Sequence, residues 1–176
     1  YLQQLSHAYL FVAPDGIGIE TLMPAVVHSC FCGNLDSQSN PCGQCKSCQL
    51  FARNQHPDFY HLQVLEDKKE ISIEQIRELV NKQSETSHQG GRKVVWIEKI
   101  ELLSMGAFNA LLKTLEEPNG ETVFLLTTSQ LAAIPATIKS RCQLVKLQAP
   151  VMHASLLWLQ HMQPQADEAL LKRALR

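Results

Sequence analysis

Four cysteines, Cys32, Cys42, Cys45 and Cys48, follow one another in a C-x9-C-x2-C-x2-C pattern. Gaps of two residues let a pair of thiolates reach one ion from a tight turn or a single turn of helix, and four thiolates satisfy the tetrahedral preference of zinc. Such a site is closed. It leaves no position for water or substrate, so the pattern predicts a structural Zn2+ that stabilises a fold and does no chemistry. Cys30, two positions earlier, offers an alternative first ligand in a C-x11-C arrangement. A disulfide cluster is the competing reading. It is disfavoured because no secretory segment opens the chain and Cys45 and Cys48 are too close in sequence for a relaxed bridge. Cys142 lies far along the chain and reads as a buried apolar residue.

A second stretch has the outline of a phosphate site without its chemistry. Ala13, Pro14, Asp15, Gly16, Ile17, Gly18, Ile19 and Glu20 follow an apolar strand-like run and lead into a helical one, the context of a Walker A loop. A working loop needs G-x-x-x-x-G-K-[ST], in which backbone N–H groups wrap the phosphates, the Lys reaches the β and γ oxygens and the hydroxyl holds magnesium. Gly18 keeps the second glycine, but Ala13 stands at the first, Ile19 at the lysine and Glu20 at the hydroxyl. Glu20 sets an anion where phosphate would lie, and repulsion between like charges in a poorly solvated cleft is costly. Thr21 cannot restore the site by a slip of one residue, since Glu20 would then take the lysine position. The run Val94 to Lys99 sits where a Walker B strand delivers a metal-binding acid followed by a water-orienting Glu. Glu98 fits the first role; Lys99 occupies the second and cannot fill it. Both halves of an ATPase site are broken together, which predicts a chain that binds no ATP. On their own, Glu98 and Lys99 also read as an ordinary ion pair at a strand end.

These residues need a scaffold, and 176 residues suffice for one sizeable domain and the beginning of a second. With 16 basic and 17 acidic residues and a net charge of −1, bulk positive charge does not equip the chain to grip DNA alone, although a share in a larger nucleic-acid assembly is compatible with it. Apolar runs fall short of a membrane span and no signal segment opens the chain. The expectation is a soluble, cytoplasmic protein, and the two ends read as those of a fragment of a longer one.

Short apolar runs at Tyr9–Ala13, Phe59–Leu65, Lys93–Ile97, Thr122–Thr127 and Leu144–Leu147 read as strands, most of them continuously apolar, as buried parallel strands are. Glu20–Cys32, Ile73–Glu85 and Met105–Leu115 read as helices. Ser72 and Gln75 form a capping box and Ser104 an N-cap. Met105, Phe108, Leu111, Leu112 and Leu115 follow the spacing of a core-facing stripe. The alternation predicts an α/β fold: a right-handed, mostly parallel sheet with helices on both faces, interrupted by the cysteine module at residues 32–48. Pro150 marks the end of this domain, 1–149. Residues 150–176 read as the first helices of a second, helical module, Val151–Met162 and a stretch from Pro164 onward. Ser87–Gly91 reads as a flexible linker.

Several segments together resemble one family, the delta-prime subunits of the bacterial DNA polymerase III clamp loader, within the AAA+ superfamily. They are Ser6 to Phe11 leading into the altered loop, Pro41 to Cys48, His56 to Tyr60, Arg92 to Ile97, Asn109 to Pro118 and Ile138 to Cys142. The motor subunits of the same loader share the cysteine module, the Asn-Ala-Leu-Leu-Lys helix and the Ser-Arg-Cys motif but resemble working ATPases with the Walker lysine. The broken loop therefore points to delta prime. Alignment from His7 through Gly18 places Cys32, rather than Cys30, at the first metal ligand of the family, with a gap to Cys42 one residue longer than the family pattern.

The resemblance implies an AAA+ P-loop-type sheet of five strands in the order 5-1-4-3-2, the start of a helical lid domain, and a C-terminal collar outside this chain. It implies a stator: a subunit of the polymerase holoenzyme that does not hydrolyse ATP itself. Its partners would be the tau/gamma motor and delta subunits, with primer–template DNA inside the complex and the sliding clamp touched at most weakly. Arg141, between Ser140 and Cys142, would be an arginine finger completing the ATP site of a neighbouring motor while the clamp is loaded onto primed DNA. On position alone, Arg141 reads as an arginine at a strand entrance paired with a surface carboxylate. Two further readings compete: an active tau/gamma-type ATPase, which tightly bound nucleotide would favour, and a free-standing zinc adaptor, which failure to join motor subunits would favour.

Overall fold

A computed structural model describes residues 6–83, 87, 91–118, 120–167, 170, 172–173 and 175. Five strands, β1 (Ala8–Val12), β2 (Phe59–Leu62), β3 (Lys93–Ile97), β4 (Thr122–Thr128) and β5 (Gln143–Lys146), form one sheet in the order β2-β3-β4-β1-β5. Every pairing is parallel, and the order is the 5-1-4-3-2 arrangement that the family resemblance implies. Helices accompany the strands: α1 (Ile19–Phe31), α2 (Lys46–Ala52), α3 (Ile73–Gln83), α4 (Met105–Glu116), α5 (Ala136–Lys139) and α6 (Met152–Met162).

Side chains alternate across a strand, and here the alternation divides the core into two layers. Ala8, Leu10, Leu62, Val95, Ile97, Phe124 and Leu126 face one side, where Ile76 and Leu79 of α3, Phe108, Leu111 and Leu115 of α4 and Ile138 of α5 cover them. Phe11, Val94, Trp96, Val123 and Leu125 face the other side, against Met23 and Val27 of α1. Because both faces are covered, β3 and β4 are buried at every position. That is why the runs Val94–Ile97 and Val123–Leu126 within them are continuously apolar rather than alternating.

The helix starts follow the expected chemistry. The backbone N–H of Gln75 donates to Ser72 Oγ while the N–H of Ser72 donates to Gln75 Oε1, a reciprocal capping box. Ser104 Oγ accepts the N–H of Ala107 at the start of α4. Three details differ from the sequence reading. β2 ends at Leu62, not Leu65, because it is an edge strand and its one neighbour ends opposite, at Ile97. The seven-residue α2 and the four-residue α5 are too short to show a helical period. Val151 caps α6 rather than belonging to it, and its Met152, Leu157, Trp158 and Met162 remain exposed. The expected end of α3 at Glu85, most of the Ser87–Gly91 linker and much of the helix expected after Pro164 lie outside the described residues. Among the described residues no helix is long and apolar enough to cross a membrane.

Candidate metal centre and degenerate phosphate loop

The cysteine module is carried between α1 and α2. Cys32 caps the C-terminus of α1 in an extended conformation, Cys45 caps the N-terminus of α2 and Cys48 lies in its first turn. Between them, Asp36 folds the intervening loop on itself. Its Oδ1 accepts the N–H groups of Gln38 and Asn40, both at 2.8 Å, and its Oδ2 accepts Asn40 Nδ2 at 3.0 Å. This local knot takes up the length of the C-x9-C gap and returns the chain to Cys42. The bonds from Asn40 hold the Asp36 carboxyl below the usual carboxylate range.

The four Sγ atoms of Cys32, Cys42, Cys45 and Cys48 lie within 4.8 Å of one another. Ligands at a Zn–S distance of about 2.3 Å around a tetrahedral ion stand about 3.8 Å apart, and Cys42 and Cys48 are 3.9 Å apart. Backbone donors converge on the sulfurs: Cys32 accepts from Asn34 and from Cys42, and Cys42 accepts from Cys45. Bonds from Gln44 and Cys45 lower the Cys42 thiol to about 6, whereas burial pushes Cys48 up to about 12. A cation held by the four sulfurs would supply the charge that lets buried Cys48 ionise. The donor set therefore fits a closed four-sulfur metal site. Cys30 is outside this group; it packs in the second core layer, where burial raises its pKa. Cys142 is half-buried beside the first layer, and burial raises its thiol to about 11.

Aromatic rings fasten the module to the sheet. Phe31 of α1 stacks on His56 with ring centres 3.7 Å apart, His28 stacks on Phe51 of α2 at 4.8 Å, and Phe51 leans on Phe59 of β2 at 5.6 Å. His56 Nδ1 accepts the N–H of Asp58, and burial lowers its pKa against the pull of Asp58.

The altered phosphate loop joins β1 to α1. Gly16 and Gly18 have φ of 80° and 87°, left-handed conformations that glycine adopts without a Cβ penalty, and Gly18 caps α1. The loop thus keeps the shape of a phosphate cradle. What lines it does not suit phosphate. Asp15, Glu20, Glu98 and Lys99 surround a cavity of about 10 Å³ with Ala13, Ile19, Thr127, Thr128 and Ser129, room for about one water molecule. Ile19 packs against the second core layer. Lys99 has a left-handed backbone, φ 50°, and its N–H donates to Thr127 Oγ1 at 3.2 Å. Glu98 does not pair with Lys99. Its Oε2 lies 3.3 Å from Nε2 of His61, and His61 in turn stacks on Trp96 at 4.0 Å. Sequence reasoning passed over His61, which lies 37 positions from Glu98 and meets it only through the pairing of β2 with β3.

Arg141 stands in the turn between α5 and β5 and is not among the residues that line the loop cavity. Its guanidinium pairs with Glu116 at the end of α4 and donates to the carbonyl of Thr137.

Residues 2–151 match the family model described as DNA polymerase III, delta subunit. The chain is 41% identical over 172 residues to the DNA polymerase III subunit delta' of Pseudomonas aeruginosa, covering 98% of this chain and 52% of that protein. It is 39% identical over 153 residues to the subunit delta' of Haemophilus influenzae, covering 87% and 46%. The chain thus spans about half the length of the curated relatives it matches. Among solved structures, a DNA polymerase III gamma subunit-related protein of Thermotoga maritima superposes with a TM-score of 0.60 at 20% identity, covering 92% of this chain and 49% of that one, a likeness of fold.

Proposed function

Because this chain belongs to the family of DNA polymerase III delta-prime subunits, we propose that it acts as a stator of the clamp loader: a subunit that neither binds nor hydrolyses ATP and lends Arg141 to the ATP site of an adjoining tau/gamma motor. The observation that carries the reading is the loop that keeps its glycine turns while Ile19 and Glu20 stand at the lysine and hydroxyl positions. A phosphate cradle whose charged lining is mostly acidic repels the ligand that its backbone is shaped for.

In this reading zinc, held by Cys32, Cys42, Cys45 and Cys48, supplies structural cross-linking alone. Residues 150–176 begin the helical lid. Arg141 suits the trans role because a guanidinium stays charged and offers a fork of donors to phosphate oxygens in the transition state. The delta subunit, primer–template DNA and, weakly, the sliding clamp complete the assembly.

Size-exclusion chromatography of the full-length protein with motor and delta subunits tests the reading. Co-elution as one complex is expected. Elution of this protein by itself, or micromolar ATP affinity in the isolated subunit, would contradict it.

A further inference from the structure

The guanidinium of Arg141 is held at two atoms. Nη2 donates to Oε1 of Glu116, and Nη1 donates to the carbonyl of Thr137 at 2.8 Å, with Ser140 Oγ at 3.5 Å. The anchors belong to α4 and α5, elements tied into one core layer through buried Leu111, Leu115 and Ile138. The site is nevertheless open. The side chain of Arg141 is 32% exposed and that of Glu116 is 48% exposed.

An arginine carries five donors on a rigid plane at the end of a chain that loses about 2 kcal/mol of rotamer freedom when fixed. Holding Nη1 and Nη2 fixes that plane. Nε–H and the second hydrogen of Nη2 are left, and among the described residues nothing takes them. A group ordered before its ligand arrives binds with a smaller entropic loss, and it acts on a transition state with less reorganisation.

We propose that Glu116 is the positioning residue for Arg141: with the Thr137 carbonyl it holds the guanidinium so that the remaining donors face phosphate oxygens of a nucleotide on a neighbouring subunit. This rests on the reading of Arg141 as a trans-acting finger. Glu116 itself touches no phosphate, since a carboxylate aimed at one would repel it. Its effect passes entirely through Arg141, which separates positioning from an ordinary surface ion pair that contributes only stability.

The test is a double-mutant cycle in the reconstituted loader, with kcat and KM for ATP measured at the motor site facing this subunit. Glu116→Gln keeps the size and an acceptor oxygen and removes the charge. It is expected to lower kcat by about two- to fivefold, the range of a half-exposed ion pair, with KM unchanged. In an Arg141→Ala background the same substitution should change nothing further. Wild-type or raised kcat in Glu116→Gln, beside a clear loss in Arg141→Ala, overturns the positioning role and leaves the finger standing. An equal loss in both backgrounds also overturns it, because a merely structural effect would persist without Arg141. Wild-type hydrolysis in Arg141→Ala removes the finger reading and this inference with it.

Discussion

The backbone N–H of Cys42 donates to Sγ of Cys32 across 3.3 Å, joining two cysteines ten positions apart. The bond holds Cys32, not its neighbour Cys30, in the cluster with Cys42, Cys45 and Cys48.

A metal content of one zinc per chain is the outcome expected from that arrangement. Cys→Ser at Cys32, Cys42, Cys45 or Cys48 should lower it, and Cys30→Ser should retain a full equivalent, as read by elemental analysis of purified protein. Chelation should raise amide exchange across residues 32–48 while β1, β3 and β4 stay protected, because the sheet has its own two core layers.

Calorimetric titration of the isolated protein with ATP and magnesium should give no heat of binding. Ile19→Lys with Glu20→Thr restores the two missing groups on paper. Even so, it should give weak binding at best and no turnover. Ile19 packs against the second core layer, Asp15 and Glu98 still line the cleft, and Lys99 still replaces the water-orienting carboxylate.

Stability should fall on mild acidification in part through His56. Burial lowers its folded pKa below the ordinary value of 6.5. Between that folded value and 6.5 the unfolded chain holds more protons than the folded one, so stability present above pH 6.5 is lost as pH falls through the window. His56→Phe keeps a ring against Phe31 and cannot titrate. Denaturant midpoints measured from pH 7.5 to pH 5 should therefore decline less steeply in the variant than in the wild type. Equal slopes would remove His56 from the account.

Much of this was legible in the sequence because it is local. The capping box of Ser72 and Gln75, the Ser104 cap and the strand runs depend on residues a few positions apart. The four-cysteine pattern and the glycine turns of the loop are local as well. What escaped is non-local or too short. Helix α2 spans two turns inside the cysteine module, where ligand spacing describes the chain better than hydrophobic period does. The pairing of Glu98 with His61 depends on strand register, and that of Arg141 with Glu116 on α4 and α5 covering the same core layer. The sequence suggested Lys99 as the neighbour of Glu98 because adjacent numbers suggest contact. Both residues lie beyond the end of β3, where the left-handed backbone of Lys99 turns the chain, and Glu98 reaches His61 instead.

Arg141→Ala in the reconstituted loader tests the central claim most directly. Loss of the exposed pair with Glu116 should alter stability by no more than about 1 kcal/mol, and zinc content should be unchanged. Hydrolysis at the facing motor site should drop steeply, since a trans arginine is worth about 10³–10⁵ in turnover. Bulk ATPase and clamp loading should fall less, because the other sites carry their own fingers, and Arg141→Lys should restore only part, lacking the fork. Wild-type hydrolysis at that site and wild-type clamp loading by the Arg141→Ala complex would contradict the account.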